Sequence, residues 1–196
     1  MFIQEFHGKV RDPELWRRQL DRWNEELRPT AKGFLGSTSG LTPDGTMVSV
    51  VRFESEAAAR ANSERPEQQA WYEQTKQAFD GDITFHDCSE VDTYLEGGSD
   101  AAGFVQVMEG HTSDPKAMRE MEDSFEAEMG SVRPDILGTI TGWEPDGSFV
   151  TVAYFTSEAE ARRNEQKMAE NPRFVEFMQY MDGDMAFYDL KEPVFA

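Results

Sequence analysis

Residues 43–62 read PDGTMVSVVRFESEAAARAN, and residues 145–164 read PDGSFVTVAYFTSEAEARRN. One pattern is written twice. A Pro-Asp-Gly turn leads into an apolar strand that ends at Phe53 or Phe155, and a serine then caps a helix opening with Glu56-Ala57 or Glu158-Ala159. Proline presets its own φ and glycine accepts a positive one, so the turn folds the strand back on the one before it as a β-hairpin. Working outward at the same offset of 102 positions, Phe2-Ile3-Gln4 meets Phe104-Val105-Gln106, Asp12-Pro13 meets Asp114-Pro115, and Leu35-Gly36 meets Leu137-Gly138. On the far side Asp80-Gly81-Asp82 meets Asp182-Gly183-Asp184. About 29 identities over roughly 86 gap-free positions exceed chance several-fold, and a period this long implies a small domain built twice.

Hydrophobic spacing gives the order of elements within each copy. Phe2 to Phe6 alternates as a strand, and Asp12-Pro13 starts a helix with an N-cap and a first-turn proline. Trp16, Leu20, Trp23 and Leu27 recur at helical spacing as one apolar stripe. The hairpin follows, then a second helix from Ser55 to about Phe79 that breaks at Pro66, and at Pro172 in the second copy. A last strand runs from Ile83 to Cys88. The order βαββαβ is that of a ferredoxin-like α+β domain with its helices on one face of the sheet. The chain divides into repeats 1–97 and 98–196, and Ser89 to Gly103, with Gly97-Gly98-Ser99-Asp100, reads as a flexible acidic connector.

The net charge is −19, and no basic patch is available to neutralise phosphates, which argues against nucleic acid and against an anionic membrane surface. No apolar run approaches membrane-helix length, the single Cys88 has no disulfide partner, and the first residues lack a signal-peptide pattern; these point to a cytoplasmic location. Phosphate-loop, dinucleotide and serine-hydrolase signatures are absent. His7, His86 and His111 are scattered without paired ligand spacing, so the sequence offers neither a metal site nor a cofactor site.

Both hairpin strands are apolar on both faces, with Met47, Val48, Val50, Val51 and Phe53 in one copy and Phe149, Val150, Val152, Tyr154 and Phe155 in the other. Two such sheets packed face to face would cover each other. With the junction Phe53-Glu54-Ser55-Glu56-Ala57-Ala58, this arrangement resembles the dimeric α+β-barrel superfamily, in particular its antibiotic-biosynthesis-monooxygenase-like group. The resemblance implies a pseudo-dimer within one chain, able to pair again as a homodimer. It also implies a small-molecule ligand, with oxygenases that use Asn, Trp and Tyr or His in a pocket between sheet and helices.

The candidates transferred from that resemblance are Asn62, Trp71, Tyr72 and His86 as catalytic groups, with Gln4, Arg60 and Phe79 contacting substrate. Such a pocket would hold a flat aromatic or polyketide-like molecule while the amide and imidazole polarise a phenol. Trp71, Tyr72, His86 and Cys88 become Arg173, Phe174, Tyr188 and Leu190 in the second copy, so the more reactive set lies in the first. Plainer readings compete: Gln4 and Gln106 as structural amides, Arg60 as a surface ion-pair partner, the aromatic pair as core. Glu122 takes the place of Leu20 on the apolar stripe, where Met121 is expected to take over the packing and leave the carboxylate in solvent. Three functions stay open: a cofactor-independent monooxygenase or isomerase, a non-catalytic ligand-binding or stress-related protein, and a haem-binding or haem-degrading protein with His86 as axial ligand. The last is weakened because no histidine lies between Ser55 and Phe79, where such relatives place theirs.

Overall fold

A computed structural model describes residues 1–168 and 171–196. It forms two compact units, residues 1–89 with 194–196 and residues 90–193. In the first, strand β1 (Phe2–Lys9) leads to helix α1 (Pro13–Arg22), whose N-cap Asp12 accepts the Leu15 N–H at 2.9 Å. The helical path continues through a π-helical turn, Trp23–Leu27, and ends in a 3-10 turn, Arg28–Thr30, because Pro29 cannot extend the hydrogen-bond ladder. The hairpin of β2 (Phe34–Leu41) and β3 (Thr46–Phe53) turns at Gly45, with φ +82. Then come α2 (Glu56–Ser63), α3 (Pro66–Thr75) and β4 (Thr84–Cys88); the helix breaks at Pro66 as expected.

The second unit repeats this order. It contains β5 (Glu90–Tyr94), β6 (Phe104–His111), α4 (Pro115–Val132), β7 (Ile136–Trp143), β8 (Ser148–Phe155), α5 (Glu158–Met168), α6 (Pro172–Met178) and β9 (Ala186–Leu190). Here the first helix is one regular segment, since its proline, Pro134, falls beyond the end. The five-stranded sheets run β10-β2-β3-β1-β4 and β5-β7-β8-β6-β9, all antiparallel, where β10 is Val194–Phe195. Apart from the added edge strands β10 and β5, the remaining four strands of each sheet are the ferredoxin-like core, in the α+β class read from the sequence.

The fifth strands correct the reading of Ser89–Gly103 as a flexible connector. Glu90–Tyr94 pairs along β7, from Glu90 opposite Trp143 to Tyr94 opposite Thr139, and Tyr94 is buried. The compact units therefore divide at Ser89, and residues 90–97 lie with the second. On β1, Phe6 packs toward the helices with Trp16 and Leu20, while Ile3 and Glu5 point to the other face. That face is also inaccessible: Ile3, Glu5, Val48 and Val50 are at most 1% exposed. Among the described residues no helix is long and apolar enough to cross a membrane.

A bulge between Ile136 and Gly138 presses Gly138 against the turn after β5, where Leu95, Glu96 and Gly97 all have positive φ. A Cβ at Gly138 would overlap the Gly97 carbonyl and come within 2.9 Å of the Leu95 oxygen. Backbone cannot swing aside as a side chain can, so Gly138→Ala is expected to lose about 3 kcal/mol or more. Gly45→Ala meets open space and carries only the cost of its φ, about 1 kcal/mol. Urea unfolding followed by tryptophan fluorescence checks this, and equal losses at the two positions would refute it.

Candidate functional site

Each unit has a cavity between its sheet and its helices, and the two differ in size. The first-unit cavity is about 100 Å³ and the second-unit cavity about 590 Å³. Pockets that enclose a drug-sized molecule occupy about 300 to 1,000 Å³, so only the second has the room.

Side chains at matched positions differ in bulk. Trp16, Trp23 and Trp71 line the first cavity, and the matched residues of the second copy are Met118, Phe125 and Arg173. The indoles of the first unit are also tied down: Trp71 Nε1 donates to the Gln19 carbonyl at 2.7 Å and Trp23 Nε1 to Gln68 Oε1 at 2.9 Å. They complete the core of the first unit. Gln4, Asn62, Trp71, Tyr72 and Phe79, all singled out from the sequence, do come together around its small cavity. Burial raises the Tyr72 phenol above its ordinary range, and Asn62 is occupied by Arg65 Nη1 at 2.9 Å.

Two of the sequence candidates lie elsewhere. Arg60 is exposed and pairs with Glu56 at 2.8 Å, one helical turn away. His86 sits on β4 opposite Glu5 of β1, and its ring stacks on His7 at 6.1 Å. It lines neither cavity, which removes it as an axial ligand for a group held in either. The histidines that looked scattered in sequence are thus partly gathered by the sheet, whereas His111 stays at the hairpin end of the second unit against the Asp146 carbonyl.

Among the described residues, six phenylalanines and five methionines line the second cavity, giving it apolar, adaptable walls. Its polar groups form two sets. In one, Asp189 accepts from Gln106 Nε2 at 2.9 Å and from Arg162, which also holds Glu165 at 3.0 Å. The amide–carboxylate part recurs in the first unit, where Gln4 Nε2 donates to Asp87 at 2.7 Å, so it belongs to the repeated fold; Arg162 in the wall is particular to the second.

The other set is Glu122 on α4 and Tyr94 on β5. Met121 does take up the packing, but Glu122 is not released to solvent as expected: its carboxyl enters the cavity wall 3.5 Å from the Tyr94 hydroxyl. Desolvation, reinforced by the nearby Asp92 charge, pushes this carboxyl up to about 8. The Tyr94 phenol is driven upward too, first by burial and then by Glu122. Sequence reasoning missed Tyr94 because its strand read as linker, although the alternation Asp92-Thr93-Tyr94 carried a signal.

No protein-family model and no curated protein matches the chain. Solved structures do. A "putative monooxygenase" from Lactobacillus acidophilus superposes with a TM-score of 0.70 at 11% identity, over 100% of this chain and 98% of the other. A second protein described in the same words, from Fusobacterium nucleatum, gives 0.72 at 8% identity over 96% and 90%. An "anthrone oxidase-like protein" gives 0.67 at 9% identity over 100% and 93%. The chain shares the tandem ferredoxin-like fold of these three structures.

The raised Glu122 carboxyl has a measurable consequence for stability. Its folded pKa lies above the unfolded 4.5, so its contribution is complete below about pH 4.5 and is lost as pH rises to about 8. Glu122→Gln stays neutral throughout. The variant is expected to gain on wild type across that window, by on the order of 1–2 kcal/mol by pH 8, less than the full shift because Glu122 retains accessible surface. Urea titrations at several pH values measure this; a constant difference from pH 4.5 to 8 would contradict it.

Proposed function

We propose that the protein binds a flat, electron-rich aromatic molecule in the second-unit cavity and oxygenates it without a bound cofactor. The observation that carries the reading is the 590 Å³ apolar cavity with a carboxyl of raised pKa in its wall. A hydroxyanthrone suits this chemistry. Loss of a ring proton to ionised Glu122 produces an electron-rich anion that reacts with oxygen directly. Over the whole reaction the CH2 carbon becomes a ketone and O2 is reduced by four electrons, one oxygen entering the ketone and the other leaving as water with the two hydrogens. Fold likeness to an anthrone oxidase-like protein supports the choice of substrate class. This reading favours the second repeat over the first, where indoles line the smaller cavity.

Arg162 and Gln106 supply donors at the cavity wall suited to a phenolic oxygen, and the phenylalanines supply faces for the rings. Arg173→Trp installs the residue that the first copy has at the matched position. It is expected to weaken binding of a hydroxyanthrone at least about tenfold, while Trp71→Ala leaves it unchanged. Fluorescence titration measures the binding. Oxygen uptake and quinone formation measure turnover, which should rise with pH through about 8 and fall about a hundredfold or more in Glu122→Gln. Tight binding with no oxygen uptake would leave a ligand-binding protein in place of an oxygenase. A Soret band on adding haem, with no hydroxyanthrone binding, would favour the haem reading.

A further inference from the structure

We propose that Glu5, His7 and His86 form a binding site for one divalent first-row transition-metal ion in the first unit, separate from both cavities. Glu5 and His7 stand two residues apart on β1 and so project from the same face, and His86 on neighbouring β4 is the direct cross-strand partner of Glu5. One face of two adjacent strands therefore presents a carboxylate flanked by two imidazoles. Their ligating atoms all lie within 4.8 Å of one another, and His7 Nδ1 is 3.3 and 3.4 Å from the two Glu5 oxygens. Donors about 2.1 Å from a common ion in tetrahedral or octahedral geometry stand roughly 3.0 to 3.5 Å apart, so small side-chain rotations complete the site.

The chemistry of the donors selects the ion. Two imidazoles and one carboxylate suit zinc, cobalt, nickel or ferrous iron, whereas calcium and magnesium prefer oxygen-only shells. Burial adds a second argument. The Glu5 side chain is fully inaccessible, and a buried carboxylate is costly unless a hydrogen-bonded cation or a metal neutralises it. The His7 side chain keeps 18% exposure and His86 is half-buried, so the imidazole side provides a route of entry. At the matched positions the second copy has Val107, Glu109 and Tyr188, which supply no imidazole, so the expected stoichiometry is one ion per chain.

The test uses the full chain, freed of metal with a chelator and titrated with Co2+ followed by its visible absorption, with Zn2+ as competitor. One equivalent of Co2+ should bind and be displaced by Zn2+. His86→Tyr, which copies the residue of the second repeat, and His7→Gln should each weaken the affinity by about a hundredfold or more. Arg173→Trp should leave metal binding intact, so failure of the cavity proposal and failure of this one are read separately. Absence of Co2+ binding by the wild-type chain would overturn the site and leave a buried Glu5–His7 ion pair. Binding of the same affinity in both histidine variants would also overturn it.

Discussion

The space between a sheet and the helices laid across it must be filled by side chains, and in this chain the two units fill it to different extents. Indoles at Trp16, Trp23 and Trp71 line the small cavity of the first unit; at the matched positions the second copy has Met118, Phe125 and Arg173, of which Phe125 and Arg173 line the larger cavity. Truncating a large aromatic core side chain to alanine costs about 3 to 5 kcal/mol, so the smaller side chains of the second unit forgo part of the packing the first unit has. The second unit carries ionic and polar ties in place of that packing. Arg133 and Asp135 pair at 2.8 Å in a buried setting that Asn164 joins at 2.7 Å, fastening α5 to the segment before β7. Buried pairs of this kind stabilise weakly in net terms, but breaking one side of them is expensive, which makes them suited to holding geometry.

The same trade is visible around Glu122. Asp92 on β5 accepts from Arg119 and, at 2.8 Å, from the Trp143 indole, so α4, β5 and β7 meet at one carboxylate. Arg119 lies over the Trp143 ring, its centre 5.6 Å away, and its charge is held firmly by Asp92 and Glu90. With the guanidinium engaged there, Glu122 receives only part of its compensation, and burial sets its protonation. A carboxyl pushed up to about 8 goes with the position of one arginine and with a glutamate where the first copy has Leu20 on its apolar stripe.

The sequence made the repeat, the element order, the Pro66 and Pro172 breaks and the α+β class legible because each rests on local chemistry: a turn, a cap, a proline, an apolar period. Glu90–Tyr94 escaped because its pairing partner, β7, lies some fifty residues on, and an edge strand with acidic residues carries little local signal. The location of the open cavity escaped for a different reason. Trp71 and Arg173 diverge between the copies, but residue type alone does not tell reactivity from volume: an indole that donates to a backbone carbonyl is wall, and its absence is space. His7 and His86 could be joined only by knowing that β1 and β4 are neighbours, which spacing along the chain does not encode.

The edge strands also impose an order on synthesis. The strand β2 is completed by Val194–Phe195, which hydrogen-bonds through Ala196 to Ser37 in both directions. Those residues leave the ribosome only after the entire second unit has been made, so the first unit waits with one row of backbone donors and acceptors unsealed. That interval is a window in which a chaperone or a neighbouring nascent chain competes for the edge, and the speed of translating residues 90–193 sets how long it stays open.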